Sequence, residues 1–256
     1  MPTVLVEKKG ARVTVLTLNR PERRNALTIE LMRELVAAID LAAADLTQRV
    51  LVLRGAGAAF CTGLDLQEVS ESEKAHVSAE MVAKMLLSVS QTRLVTIAAV
   101  HGAAVAGGAG LMSACDFAIA ADRTKIGYPE VRRGLVAGLV MTFLRRQLRE
   151  RDARELLLGG ELINAERAKE IGLITHVVPT AELDAAIDKI IASVLQGAPQ
   201  ALANSKRLLE ELWSTTVPQD IERALSHHMQ ARGSTEANEG VAAFLEKRPP
   251  SWATDL

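Results

Sequence analysis

Residues 101–116, HGAAVAGGAGLMSACD, are the most unusual sixteen in this chain. Nine of them are Gly or Ala, and the only ionisable side chains are His101, Cys115 and Asp116. Small residues forfeit hydrophobic burial, so something else must favour them here. The stretch follows the strand-like run LVTIAAV (94–100) and leads into an apolar segment ending near Cys115. A strand that passes through glycines into a helix leaves the first N–H groups of that helix without partners. Those groups lie at the positive end of the helix dipole, which suits an anion or an oxygen that gains charge during a reaction. The dinucleotide pattern GxGxxG fails, because Gly108-Ala109-Gly110 is followed by Leu111, Met112 and Ser113. No Lys follows the glycines as a P-loop requires, so a polyphosphate cradle is not expected. Close helix–strand packing through small residues is the other reading that the stretch allows.

The same build occurs once before. RVLVLRG (49–55) is an apolar strand running into AGAAFCTGLDL (56–66), punctuated by Gly57 and Gly63. Two such loops can each offer one N–H to a single carbonyl oxygen. Loss of one donor of this kind costs about 3–4 kcal/mol of transition-state stabilisation. A third element, KIGYPEVRRGL (125–135), places Glu130 directly after Pro129 among apolar residues. A carboxyl there can serve as a general acid or base, its pKa set by desolvation and nearby donors. It can also be a helix-start Glu favoured by the dipole.

Around these elements the pattern is α/β. TVLVEKKG (3–10) and RVTVLTLN (12–19) read as a hairpin. Thr28 is a candidate N-cap for a helix carrying Leu31, Leu35, Ala38, Ile39 and Ala42 at helical spacing. Residues 67–79 read as a loop or frayed helix, and 80–92 as a helix. DFAIAAD (116–122) and LITHVVP (173–179) are strands, with helices expected over 139–148, 150–158 and 164–171. From Glu182 onward the pattern is helical, broken at Gly197-Ala198-Pro199, Pro218 and Gly233. Alternating strands and helices followed by a helical tail imply an α/β core, residues 1–197, with a C-terminal helical region, 198–256.

The totals exclude several classes. Hydrophobic residues are 48% of 256, charged residues 24%, and the formal net charge is −1. Neither nucleic acid nor an anionic membrane is called for, and 3% aromatics gives little for base stacking. Residues 123–154 carry nine Lys/Arg against three acids, which fits a solvated helix face or a phosphate-bearing ligand. Cys61 and Cys115 form no CxxC, and no metal-ligand spacing occurs. Residues 94–115 lack Asp, Glu, Lys and Arg over a length that could cross a bilayer. The break at His101-Gly102 and three further glycines argue instead for a buried strand and a buried helix. MPTVLVEKKG has no signal-peptide core, so a cytoplasmic location is expected.

In this combination the sequence resembles the crotonase superfamily, the enoyl-CoA hydratase/isomerase family. The likeness runs through LNRPERRNAL (18–27), AFCTGLDL (59–66), AVHGAAVAGGAGLMSACDFAIAAD (99–122), IGYPEVRRGL (126–135), ERAKEIGLITHVVP (166–179) and EGVAAFLEKRPPSW (239–252). It implies a spiral of ββα units whose C-terminal helical region builds trimers, often paired into hexamers. The implied ligand is an acyl-CoA thioester, with no other cofactor and no metal. Its carbonyl would sit between the N–H groups of Leu64 and Gly107, with Glu130 as general acid/base. Arg24, Ala26, Thr62, Asp65, Leu66, Phe244 and Lys247 match positions that contact the CoA, the last two sometimes on a neighbouring subunit.

One departure stands out. Typical hydratases of the family use two glutamates, and the position of the first, three residues beyond Gly107, is Gly110 here. Hydration needs water activated on one side and a proton delivered to the α-carbon. A 3,2-isomerisation needs one carboxyl to move one proton. The resemblance therefore leaves open a hydratase, an isomerase working through Glu130 alone, or an acyl-CoA-binding member without chemistry. Asp65, Glu68 and His76 are candidates for a second group, and His101 reads as a structural histidine.

Overall fold

The computed structural model describes residues 1–68, 72–213 and 215–253. β1 (Val4–Lys9) and β2 (Val13–Leu18) form the expected antiparallel hairpin, turning at Gly10 with φ +66°. Thr28 caps α1 (Ile29–Ala44), its hydroxyl accepting from the Leu31 N–H at 3.2 Å. The stripe Leu31, Leu35, Ile39 and Ala42 is buried. Next come β3 (Val50–Gly55), α2 (Ser72–Gln91), β4 (Val95–Val100), β5 (Ala103–Val105) and α3 (Gly107–Ser113). They are followed by β6 (Phe117–Ala121), β7 (Lys125–Gly127), a 3-10 turn over Pro129–Arg133, α4 (Gly138–Gln147) and α5 (Glu150–Gly159). The chain continues through β8 (Ile163–Asn164), α6 (Ala165–Glu170), β9 (His176–Val178), α7 (Leu183–Gln196), α8 (Pro199–Glu211), α9 (Val217–Arg232) and α10 (Thr235–Glu246).

The main sheet has the order β1-β2-β3-β4-β6-β9, parallel from β2 onward. A smaller sheet has the order β5-β7-β8. The winding repeats one step: β4 lies in the main sheet and β5 in the small one, then β6 and β7 do the same. After β3, Cys61 takes the corresponding place by bridging to Ala104. This is the expected spiral of strand–strand–helix units. Both faces of the parallel sheet are covered. Val50 and Val52 of β3 face Leu183, Ile187 and Ile191 of α7, while Leu51 and Leu53 face the larger core beneath α1 and α2.

Of the two readings for residues 67–79, loop or frayed helix, the helix holds from Ser72, where α2 begins; the buried apolar positions of α2 start only at Ala79. Residues 94–115 form two strands and a seven-residue helix, and no described helix is long and apolar enough to cross a membrane. In the helical tail, α9 packs on α4 and α2, and α10 packs on the 3-10 turn. That last contact is close because Gly240 has no side chain: a Cβ there would lie 2.9 Å from Arg133 Cα. Both helices thereby reach the cavity described next.

Candidate active site

The two glycine-bearing loops meet edge to edge. Leu27 holds the first: its N–H donates to Gly63 O at 2.8 Å, and its carbonyl accepts from the Asp65 N–H at 2.9 Å. The N–H between them, on Leu64, has no acceptor among the described residues. Asn25 is buried and spans the base of the loop. Its amide donates to Ala56 O at 2.9 Å and Ala59 O at 2.8 Å, and its Oδ1 accepts from the Arg20 N–H at 2.9 Å. Asp65 pairs with Arg20 at 3.1 Å and Arg23 at 3.3 Å.

The second loop is placed by contact. β5 lies between Cys61 and β7, with the Cys61 N–H donating to Ala103 O and the Val105 N–H to Cys61 O. A Cβ on Gly108 would fall 2.6 Å from the Cys61 carbonyl carbon, so only glycine fits. Ala106 turns the chain into α3 at φ +52°, a conformation that L side chains rarely adopt. Gly107 opens the helix, and its N–H has no acceptor among the described residues; the Gly110 N–H donates to Ala106 O. A Cβ on Gly107 would lie 3.3 Å from Leu27 Cδ1 and 3.8 Å from Gly63 Cα. The free N–H groups of Leu64 and Gly107 thus belong to adjoining segments.

Glu130 comes from the 3-10 turn. Tyr128, wholly buried, anchors the turn to α3 through Ser113 Oγ at 2.8 Å and Ala109 O at 3.4 Å. Pro129 then starts the turn with its fixed φ. Glu130 Oε2 is shut off from solvent with no hydrogen-bond partner among the described residues. Burial pushes the carboxyl up to about 7, with a hydrogen bond from its own backbone N–H and then the Arg133 charge pulling the other way. The Arg133 guanidinium lies 4.5 Å from the Phe244 ring centre of α10.

These groups line one cavity of about 620 Å³. Glu130, Gly107, Leu64, Arg24, Ala26, Thr62, Asp65 and Leu66 are on its wall, and so are Phe244 and Lys247 of the same chain. Thr62 Oγ1 is also 3.3 Å from Arg24 O. The other candidates lie apart. Glu68 caps α1, accepting from the Ile29 N–H at 2.9 Å. His76 is exposed beside Glu80, and His101 Nε2 bonds Gly57 O at 2.9 Å. Both cysteines are buried, and burial raises both thiols, Cys61 to about 12. No group of three His, Cys, Asp or Glu is placed to hold a metal among the described residues.

The enoyl-CoA hydratase/isomerase family model matches residues 8–255. The chain belongs to that family. A crystal structure of an enoyl-CoA hydratase from Mycobacterium avium superposes with a TM-score of 0.87 at 36% identity, covering 99% of this chain and 100% of that one. The crotonyl-CoA hydratase of Syntrophomonas wolfei is 34% identical over 257 residues, 97% of each chain. The 2,3-dehydroadipyl-CoA hydratase of Escherichia coli is 30% identical over 250 residues, 97% of this chain and 98% of the relative.

As an enoyl-CoA hydratase/isomerase, the chain departs at Gly110 for a steric reason. A Cβ there would overlap Val140 Cγ1 and lie 3.1 Å from Val140 Cβ. Val140, from α4, lines the cavity instead. Among the wall residues that escaped the sequence reading are Arg133, Val140 and His228. For His228 a signal existed, since it shares a helix face with Ile221, Ala224 and Leu225 of α9. No local spacing announces Val140, which lies 30 positions from the glycine it excludes.

Proposed function

We propose that this enzyme adds water across the double bond of an enoyl-CoA thioester. The observation that carries the reading is the buried, unpartnered Oε2 of Glu130 in one cavity with the free N–H groups of Leu64 and Gly107. In this reading the thioester oxygen accepts from both N–H groups, which stabilise the enolate more than the neutral ground state. With its carboxyl pushed up to about 7, Glu130 is partly protonated at neutral pH and can give a proton to the α-carbon. Arg24, Ala26, Thr62, Asp65 and Leu66 would run along the CoA, with Phe244 and Lys247 over it. The chemistry calls for no cofactor beyond the CoA of the substrate. A homotrimer or paired trimers belong to the same reading, supported by the exposed Leu208, Leu209 and Leu212 on and beside α8.

The Gly110–Val140 contact favours a second reading, 3,2-isomerisation by Glu130 alone. Turnover of crotonyl-CoA and 3-hexenoyl-CoA in deuterated water, beside Glu130→Gln, separates them. Hydration that falls about 10³-fold in the variant supports the first reading. Double-bond migration without water addition replaces it with the second. Binding without turnover of either overturns both.

A further inference from the structure

Hydration needs a group that takes a proton from water, and the cavity has one carboxyl free for chemistry. Asp65 is held by two arginines, and Val140 closes the approach from position 110. Arg24, Arg133 and Lys247 are cations. His228, on the wall from α9, is left. We propose that His228 activates the water that attacks the β-carbon; the proposal rests on the hydratase reading.

The geometry prepares it for this. α9 lies directly on the start of α4, where Gly138 leaves room: a Cβ there would lie 3.0 Å from Ala224 O and 3.8 Å from His228 Cβ. His228 Nδ1 is 3.2 Å from Val136 O. A carbonyl only accepts, so Nδ1 carries the proton and Nε2 keeps its lone pair. The adjoining residue is tied to the main chain of Glu130, because the Leu135 N–H donates to the Glu130 carbonyl at 3.0 Å. Two successive residues thus link the His228 imidazole to the main chain that carries Glu130.

On the cavity wall, α2 contributes Val82 and α4 contributes no charge, the 3-10 turn brings Glu130 and Arg133, the end of α10 brings Lys247, and the first loop with the segment before α1 brings Arg23, Arg24 and Asp65. Arg232 lies one turn further along α9. Burial first, and then the Arg232 charge, hold His228 below its usual pKa, against the bond to Val136. Glu130 is shifted the other way. A neutral base and a carboxylic acid can therefore coexist near pH 7, as paired acid–base catalysis requires.

In the step, Nε2 takes one proton from water while the oxygen bonds to the β-carbon. The π pair shifts toward the thioester oxygen, held by the two N–H groups, and Glu130 gives its proton to the α-carbon. The proton on His228 returns through solvent to the Glu130 carboxylate, so one water is added and both groups are restored.

The test uses His228→Gln, with the exposed neighbour His227→Gln as control. Two rates are read: hydration of crotonyl-CoA, and exchange of the α-protons of butyryl-CoA in deuterated water, which needs Glu130 and the N–H pair but no attacking water. The expected result is a fall in hydration kcat of about 10²–10³-fold with KM and exchange within about threefold, and no change in the control. Hydration within about threefold of wild type overturns the proposal, and so does parallel loss of hydration and exchange, which marks a structural residue. Wild-type exchange without hydration takes down the hydratase reading and the proposal with it. Wild-type hydration with His228→Gln unimpaired takes down the proposal alone.

Discussion

The loop at 56–66 and the stretch at 101–110 offer one N–H each, and they are held by opposite means. The first is tied from outside by polar side chains: Asn25 under its base, and Arg20 and Arg23 on Asp65. The second, apart from His101, has no polar side chain. It is located by its pairing with Cys61 and β7, by the press of Gly108 on Cys61, and by the turn at Ala106. A loop held by partners is weak where a partner can be lost. A loop held by closeness is weak wherever an atom can be added.

Substitutions can break this contrast. Gly108→Val adds atoms where none fit and moves the start of α3, displacing the Gly107 N–H. Turnover is expected to fall by about 10²-fold or more, as for loss of an oxyanion donor; unaltered kcat in a folded variant would refute placement by contact. Asn25→Ala removes a partner instead. It strands two carbonyls and one N–H, and urea unfolding should show a loss of about 2–4 kcal/mol.

Glu130→Gln leaves both loops intact and sharpens the comparison with the one side chain that does chemistry. Its folded pKa, about 7, lies above that of an unfolded Glu. The stabilising contribution of its protonation is thus present below the unfolded pKa and lost as pH rises through about 7. The variant should melt higher than wild type at pH 8, by about 2 °C or more, and gain nothing at pH 4. Equal melting curves at both values would argue that the carboxyl is solvated. The smallest effect is expected from Ala106→Gly, which relieves the positive φ and should stabilise the fold by up to about 1 kcal/mol in chemical denaturation.

Much of this was legible beforehand because it is local. The hairpin, the Thr28 cap, the two glycine loops and Glu130 beside Pro129 each declare themselves within a dozen residues. The strands β5, β7 and β8, two or three residues each, are too short to establish a period, and α2 opens with polar turns that suit a loop as well as a helix. The hardest features are relations between distant positions. Gly110 is a missing carboxyl in the sequence and a steric fit in the fold, and only Val140 shows why. His228 reaches the cavity through a helix that begins 87 positions after Glu130, and it is oriented by a carbonyl at Val136.

The Gly110–Val140 contact also fixes an order of events. With Val140 in place, any side chain at 110 strikes a β-branched residue that has little rotamer freedom on a helix. Glutamate at 110 becomes tolerable only after position 140 has shrunk. Val140→Ala by itself would open a small void with a modest penalty. For a lineage or a designer, the two changes form a path passable in one direction, and the present pair holds itself in place by epistasis.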